Sequence, residues 1–198
     1  MIHEMIIVAT LSIIVAIARK RKISNLENIR IKGLGFFILS LLVQSGSVFI
    51  AGKWNNSEFG ILIKDYFEWI HCISYQLILI GIALNLQKRY MKVFFLGTVM
   101  NFTVILFNVM RMPVKIPVGM ENSWENFVFL NSSKDLIHII MDENTRLKFL
   151  GDIFILKKPY PFIKAISLGD ILLLIGFFDL IQKETLPQNN CSNIKKPV

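Results

Sequence analysis

The sequence predicts an all-α integral membrane protein. It has about five transmembrane helices and a long, partly helical outer-face segment between spans four and five. Three observations carry this. Hydrophobic residues make up 54% of the 198 residues and charged ones only 18%, against about 45–50% and 25% in soluble domains. The mean hydropathy is +0.54. Predominantly apolar runs recur at about the 17–25 residues that a bilayer core requires, and cations gather in the short loops between alternate runs.

The spans are expected at about 2–18, 33–52, 66–86, 93–110 and 165–182, in one membrane domain covering 1–182. Span one is followed at once by Arg19-Lys20-Arg21-Lys22. A secretory signal carries its positive charge before the apolar run, so the reversed order reads as an uncleaved anchor with its N-terminus outside. The loop from Arg19 to Lys32 holds six cations and one acid, Glu27. Span three ends in the basic turn containing Lys88, Arg89 and Lys92, and the polar stretch 183–198 holds three more lysines. Those inner loops carry twelve cations in little chain, whereas the outer regions spread ten over far more. Short loops set orientation. The expected topology is therefore N-terminus outside and C-terminus cytoplasmic in the plasma membrane, with 183–198 a flexible tail.

Net charge is +8, but the cations sit beside apolar spans, where they meet lipid headgroups. Nucleic acid is not an expected partner; the lipid bilayer is, with an anionic lipid or a membrane protein as a further possibility. Cys72 lies inside an apolar run and Cys191 in the polar tail, so no disulfide is expected.

Most of the polar chemistry lies in the outer-face segment, 111–164. Asn122-Ser-Trp-Glu125 and Ser132-Ser-Lys-Asp135 each place a side-chain acceptor three residues before an acid. That capping-box spacing predicts short helices over Ser123–Leu130 and Ser133–Met141. On a continuous helix His138, Asp142 and Arg146 would share one face, with Asp142 orienting the imidazole. The bland reading of that face is a solvated helix with two i,i+4 pairs. A zinc-like ion would need a third protein ligand, and no metal or other cofactor is expected.

Arg111 follows span four directly and Pro113 stops the helix. Its guanidinium either sits at the interface or grips a carboxylate such as Asp152 or Asp170, or a lipid phosphate. Ser167-Leu-Gly-Asp170 has capping-box spacing at the start of span five, which competes with a functional role for the acid. Glu68 and His71, three apart, are expected to pair, and Asn101 and Asn108 to hydrogen-bond neighbouring helices. The sequence holds no Gly-rich phosphate loop, nucleophile elbow, His-Glu-x-x-His or Cys-x-x-Cys.

The string Asn108 to Val114, then His138, then Asp142 to Asp152 with its Thr-Arg-Leu-x-Phe-Leu-Gly-Asp core, then Ser167-Leu-Gly-Asp170, resembles a family of small bacterial multi-pass membrane proteins. That family is known as a domain of unknown function, of the 5317 type. The resemblance covers nearly the whole chain. The family pattern places glycines before the arginine, where this chain has Val109-Met110. The resemblance implies a multi-pass plasma-membrane protein and supplies no activity, substrate or cofactor.

From these residues we expect a membrane protein that binds a lipid headgroup, small anion or partner through Arg111, His138, Asp142, Arg146, Asp152 and Asp170. The alternative is a hydrolase-like interface enzyme using His138 and Asp142. A transporter component fits less well, because no inverted repeat is visible.

Overall fold

Apolar runs bounded by glycine, basic turns and proline fold as six helices among the described residues, which are 2–54, 56–116, 135–156 and 164–186 of a computed structural model. They are α1 (Ile2–Ala18), α2 (Leu34–Lys53), α3 (Glu58–Asp65), α4 (Phe67–Ala83), α5 (Arg89–Phe107) and α6 (Leu168–Glu184). The predicted apolar runs each contain one of the longer five, with ends shifted by a few residues. The extra helix, α3, begins at Ser57, whose hydroxyl accepts from the Gly60 N–H at 3.1 Å, the N-cap that serine supplies.

Among the described residues two helices, α2 and α5, are long and apolar enough to cross a membrane. The pair α3 and α4, bent by 61°, makes a third if it counts as one span. The outward side of α2 is apolar: Leu41 and Leu42 are each 64% exposed and Phe49 59%. Lipid, not water, suits such a surface.

Contact clustering divides the chain into two compact units, Met1–Ile31 with Leu174–Val198, and Lys32–Leu173. In the first unit, Gln182 of α6 donates to the Ser12 carbonyl at 2.6 Å and to its hydroxyl at 3.0 Å. Arg19 and Arg21 donate to the Gln182 side chain at 3.3 and 3.0 Å. Two cations of the basic loop are thus anchored on one amide.

In the second unit α2 packs along α4. Gly81 permits this: a Cβ there would lie 2.7 Å from the Phe37 ring. The Ser40 hydroxyl donates to the Ser74 carbonyl at 2.8 Å. Asn85 accepts from the Lys32 N–H and donates to the Lys32 and Gly81 carbonyls, at 2.9, 2.8 and 2.8 Å, which fastens the entry of α2 to the end of α4. Tyr75 of α4 stacks on Phe102 of α5 with ring centres 5.5 Å apart. The start of α6 crosses α5 at Gly97 and Gly169, where a Cβ on either would meet the other's carbonyl oxygen at 2.7 Å. Small residues at a crossing are how membrane helices approach closely.

The segment after α5 departs from expectation. Its described parts are four three-residue strands and one 3-10 turn, Lys148–Leu150. Strand β1 (Met112–Val114) pairs in parallel with β2 (His138–Ile140), and β3 (Phe154–Leu156) pairs antiparallel with β4 (Lys164–Ile166). The helix predicted over Ser133–Met141 is therefore corrected where it is described: 138–140 is a strand. Its physical reason is Asp135, whose Oδ1 accepts from the Ile137 and His138 N–H groups at 2.9 and 3.0 Å. An aspartate satisfies a tight turn in this way as readily as a helix start. The helix predicted at Ser123–Leu130 and the tail 187–198 lie outside the described residues.

Candidate binding site

Asn108 ends α5 and ties the polar segment to it. Its side chain donates to the Arg146 carbonyl and accepts from the Arg146 N–H, both at 2.9 Å. Its backbone carbonyl accepts from the Arg111 N–H at 3.0 Å, closing a tight turn. Val109 and Met110, where the resemblance expects glycines, occupy the centre of that turn at φ +55° and +54°. Two successive positive φ values are the pattern of a type I′ turn, which favours glycine or asparagine. The turn delivers Arg111 and then β1 alongside β2.

Asp152 is fixed by its backbone: its N–H donates to the Pro113 carbonyl at 2.9 Å and its carbonyl accepts from Lys115 at 3.0 Å. The preceding Gly151 lies so close to Pro113 that a Cβ would sit 2.7 Å from that same carbonyl oxygen. The Asp152 side chain is buried, the residue being 6% exposed, and its Oδ1 has no hydrogen-bond partner among the described residues. Burial and then the nearby Asp170 carboxylate push its pKa up to about 7, with His138 and Lys164 opposing.

Asp170 is a capping residue with a second attachment. Its N–H donates to the Ser167 hydroxyl at 2.9 Å, and its Oδ2 accepts the longer bond from the Ser167 N–H at 3.5 Å. This is the capping box read from the sequence. Its Oδ1 accepts from the Asn101 side-chain amide of α5 at 2.9 Å, and the Ser167 hydroxyl donates to the Asn101 Oδ1 at 2.9 Å. Asn101 thus bonds a neighbouring helix, as expected of an amide inside a span.

From α4, His71 reaches Gln44 of α2 through Nδ1 at 2.9 Å. Its ring lies against Phe67 and Tyr75, with centres 5.8 and 5.2 Å away. The expected Glu68 partner is replaced by Gln44. His71 is 3% exposed, and its Nε2 is a second buried atom without a hydrogen-bond partner among the described residues. His138 acts on His71 electrostatically, as Asp152 and Asp170 act on Tyr75, so these side chains share one region of the second unit.

His138 takes its carboxylate from Asp135, not Asp142: Nδ1 lies 2.9 Å from the Asp135 Oδ2. Burial alone would lower the His138 pKa, but the Asp135 hydrogen bond and charge, with Asp152 and Asp170 beyond, raise it. Burial likewise opposes ionisation of Asp135, and the His138 hydrogen bond overcomes it, lowering the Asp135 pKa.

The remaining candidates fall elsewhere. Asp142 and Arg146 are exposed. Asp142 is occupied with Thr145, whose hydroxyl donates to its Oδ1 at 2.8 Å and accepts from its N–H at 2.9 Å. That bond lowers the Asp142 pKa. The common helical face of His138, Asp142 and Arg146 does not exist, because strand β2 and this turn replace the helix. Arg111 grips neither Asp152 nor Asp170; its Nε is buried without a hydrogen-bond partner among the described residues. The structure therefore brings His138, Asp152 and Asp170 together and adds Asp135, His71 and Tyr75. Among the described residues, no group of three or more His, Cys, Asp or Glu side chains is arranged to hold a metal ion.

The model of a family of unknown function, DUF5317, matches residues 28–182. No curated protein and no solved structure matches the chain.

Proposed function

Because the chain belongs to the DUF5317 family of unknown function, we propose its role from the geometry: it is a multi-pass plasma-membrane protein that binds a small polar ligand or lipid headgroup. The site is the buried polar region between α4, α5, the start of α6 and the strands after α5. Its principal residues are His71, Asp152 and Asp170, with His138 at its edge and Arg111 on the turn that leads into β1.

One observation carries this reading. Four side-chain atoms of the second unit, Gln44 Oε1, His71 Nε2, Arg111 Nε and Asp152 Oδ1, are buried without a hydrogen-bond partner among the described residues. Leaving such an atom unpaired costs about 1–3 kcal/mol, more if it is charged. Native proteins keep few of them unless water, an ion or a ligand completes the set.

The finer topology belongs to the same proposal: five spans, formed by α1, α2, the bent pair α3–α4, α5 and α6, with the N-terminus outside. Helices α1 and α6 have 17 residues each, the lower limit of the roughly 17–25 that cross a bilayer. The concentration of cations in the first loop orients them. This topology puts the polar site at the outer face.

A second reading is favoured by a single contact. The Asp135–His138 hydrogen bond is how a carboxylate orients a catalytic imidazole, so a hydrolase-like interface enzyme is the competing assignment. Mass spectrometry of the protein purified in native lipids tests the binding reading. A specific lipid or metabolite should be enriched with native protein and depleted with Asp152→Asn. Equal recovery from both would contradict binding at this site.

A further inference from the structure

Resting on the binding reading above, we propose that the group received at Asp152 is a primary ammonium, presented by a small amine or by an aminophospholipid headgroup.

Among the described residues, Asp152 Oδ1 is a buried acceptor with no donor, and its residue is 6% exposed. Its electrostatic neighbours include a second carboxylate, Asp170. An anionic group placed there would meet two acids, and like charges at such range disfavour binding strongly. A neutral donor would satisfy the oxygen and leave the repulsion between the acids in place. A cation that also donates N–H groups answers both needs.

The surrounding groups separate a primary ammonium from other cations. Both Asp170 oxygens are engaged, by Asn101 and by the Ser167 N–H, so Asp170 contributes charge more than a free lone pair. The Asn101 Oδ1 takes one bond, from the Ser167 hydroxyl, and retains a second lone pair. A quaternary ammonium has no N–H to give these atoms. The described residues lack the three-ligand cluster that a transition metal would use.

Three charged groups of the same unit act on the carboxyl from the elements around it. Asp170 raises its proton affinity after burial does, while His138 and Lys164 lower it. With a pKa of about 7, Asp152 is half ionised at neutral pH, so a proton competes with the ammonium for the same oxygen. Arg111 immediately precedes β1 and stands two residues before Pro113, the backbone partner of Asp152. Its unpartnered Nε suits the phosphate that an aminophospholipid carries beside its amine.

The test uses the full-length protein in nanodiscs of phosphatidylcholine, with thermal stability read against added ethylammonium, choline, sodium or glycerol phosphate at matched ionic strength. Ethylammonium should raise the melting temperature at about pH 8, with an affinity tenfold or more lower at about pH 5.5, where Asp152 is protonated. Choline and sodium should have little effect, and Asp152→Asn should abolish the ethylammonium response. Should that variant not fold, the pH dependence in native protein decides alone. Replacing the lipid by phosphatidylethanolamine distinguishes the sources: loss of the ethylammonium response, through prior occupancy, assigns the headgroup, and its persistence assigns a free amine. Stabilisation by glycerol phosphate but not ethylammonium would overturn the ammonium assignment while keeping a ligand site. An ethylammonium response that survives in Asp152→Asn, or that does not weaken at low pH, would overturn it as well. No response to any probe in either lipid would sink both this assignment and the binding reading.

Discussion

Asp152 makes stability depend on pH. Its carboxyl is raised from an ordinary value near 4 to about 7 by burial and by Asp170. Between those values the folded state holds a proton that the unfolded state has released. Stability is therefore full below about pH 4 and falls as pH rises through 7, by roughly 4 kcal/mol over three pH units. Melting temperatures of native protein without added amine should drop between about pH 5 and 8. Asp152→Asn should flatten that slope and leave the variant more stable than native protein at the alkaline end. An unchanged slope in the variant would contradict the placement of this acid. At the turn before Arg111, Val109 and Met110 hold positive φ, which costs an L-residue about 1–2 kcal/mol. Val109→Gly should relieve more of this than the greater freedom of glycine in the unfolded chain takes back. The net gain is about 0.5–1 kcal/mol, measurable by chemical denaturation in detergent, and a loss would show that the turn is unstrained.

The same residues show which parts of the site were readable from sequence. The capping box at Ser167 and Asp170 is a local pattern with a local meaning, and it formed. Asp135 and His138 have the same three-residue economy, but the acid satisfied a turn and the imidazole where a helix start was expected. Local spacing could not choose between these, since both use the same lone pairs. The Gln44–His71 contact joins residues on two helices, so no local pattern announces it. His71 was read as the partner of Glu68, three residues away, because that is the pairing local spacing offers.

Among the elements, the crossing of α5 and α6 is the most constrained. A Cβ at Gly169 would lie 1.9 Å from the Asn101 Oδ1 and 2.7 Å from the Gly97 carbonyl oxygen. Gly169→Ala must therefore displace the amide that holds Asp170, and it should lower the folded yield severely. Gly35→Ala, where a Cβ meets nothing within 4 Å, should leave yield and melting temperature unchanged or slightly raised. Fluorescence-detected size exclusion compares the two, and equal behaviour would contradict the close crossing. The helices were legible because bilayer-length apolar runs bounded by charge admit few other folds. Strands of three residues, such as β1 and β2, offer no periodicity to read. Their pairing joins residues far apart in sequence, Met112 with His138, which single-chain patterns do not encode.

At the scale of the whole molecule, topology decides what the polar site can meet. Two facts of composition set it: apolar runs of bilayer length, and cations crowded into the loop from Arg19 to Lys32. If the N-terminus is outside, that loop faces the cytoplasm and Asp152 opens toward the outer leaflet. The opposite orientation would offer the site cytoplasmic ligands and leave the first loop's cations on the wrong side.

Cysteine accessibility measures this directly. In a background with Cys72 and Cys191 replaced, single cysteines at Ser24 and Glu143, both exposed positions, are treated with an impermeant maleimide in intact cells. An outside N-terminus predicts labelling at Glu143 without permeabilisation and at Ser24 only after it. Labelling at Ser24 in intact cells, with Glu143 protected, would contradict that topology and move the binding site to the cytoplasmic face.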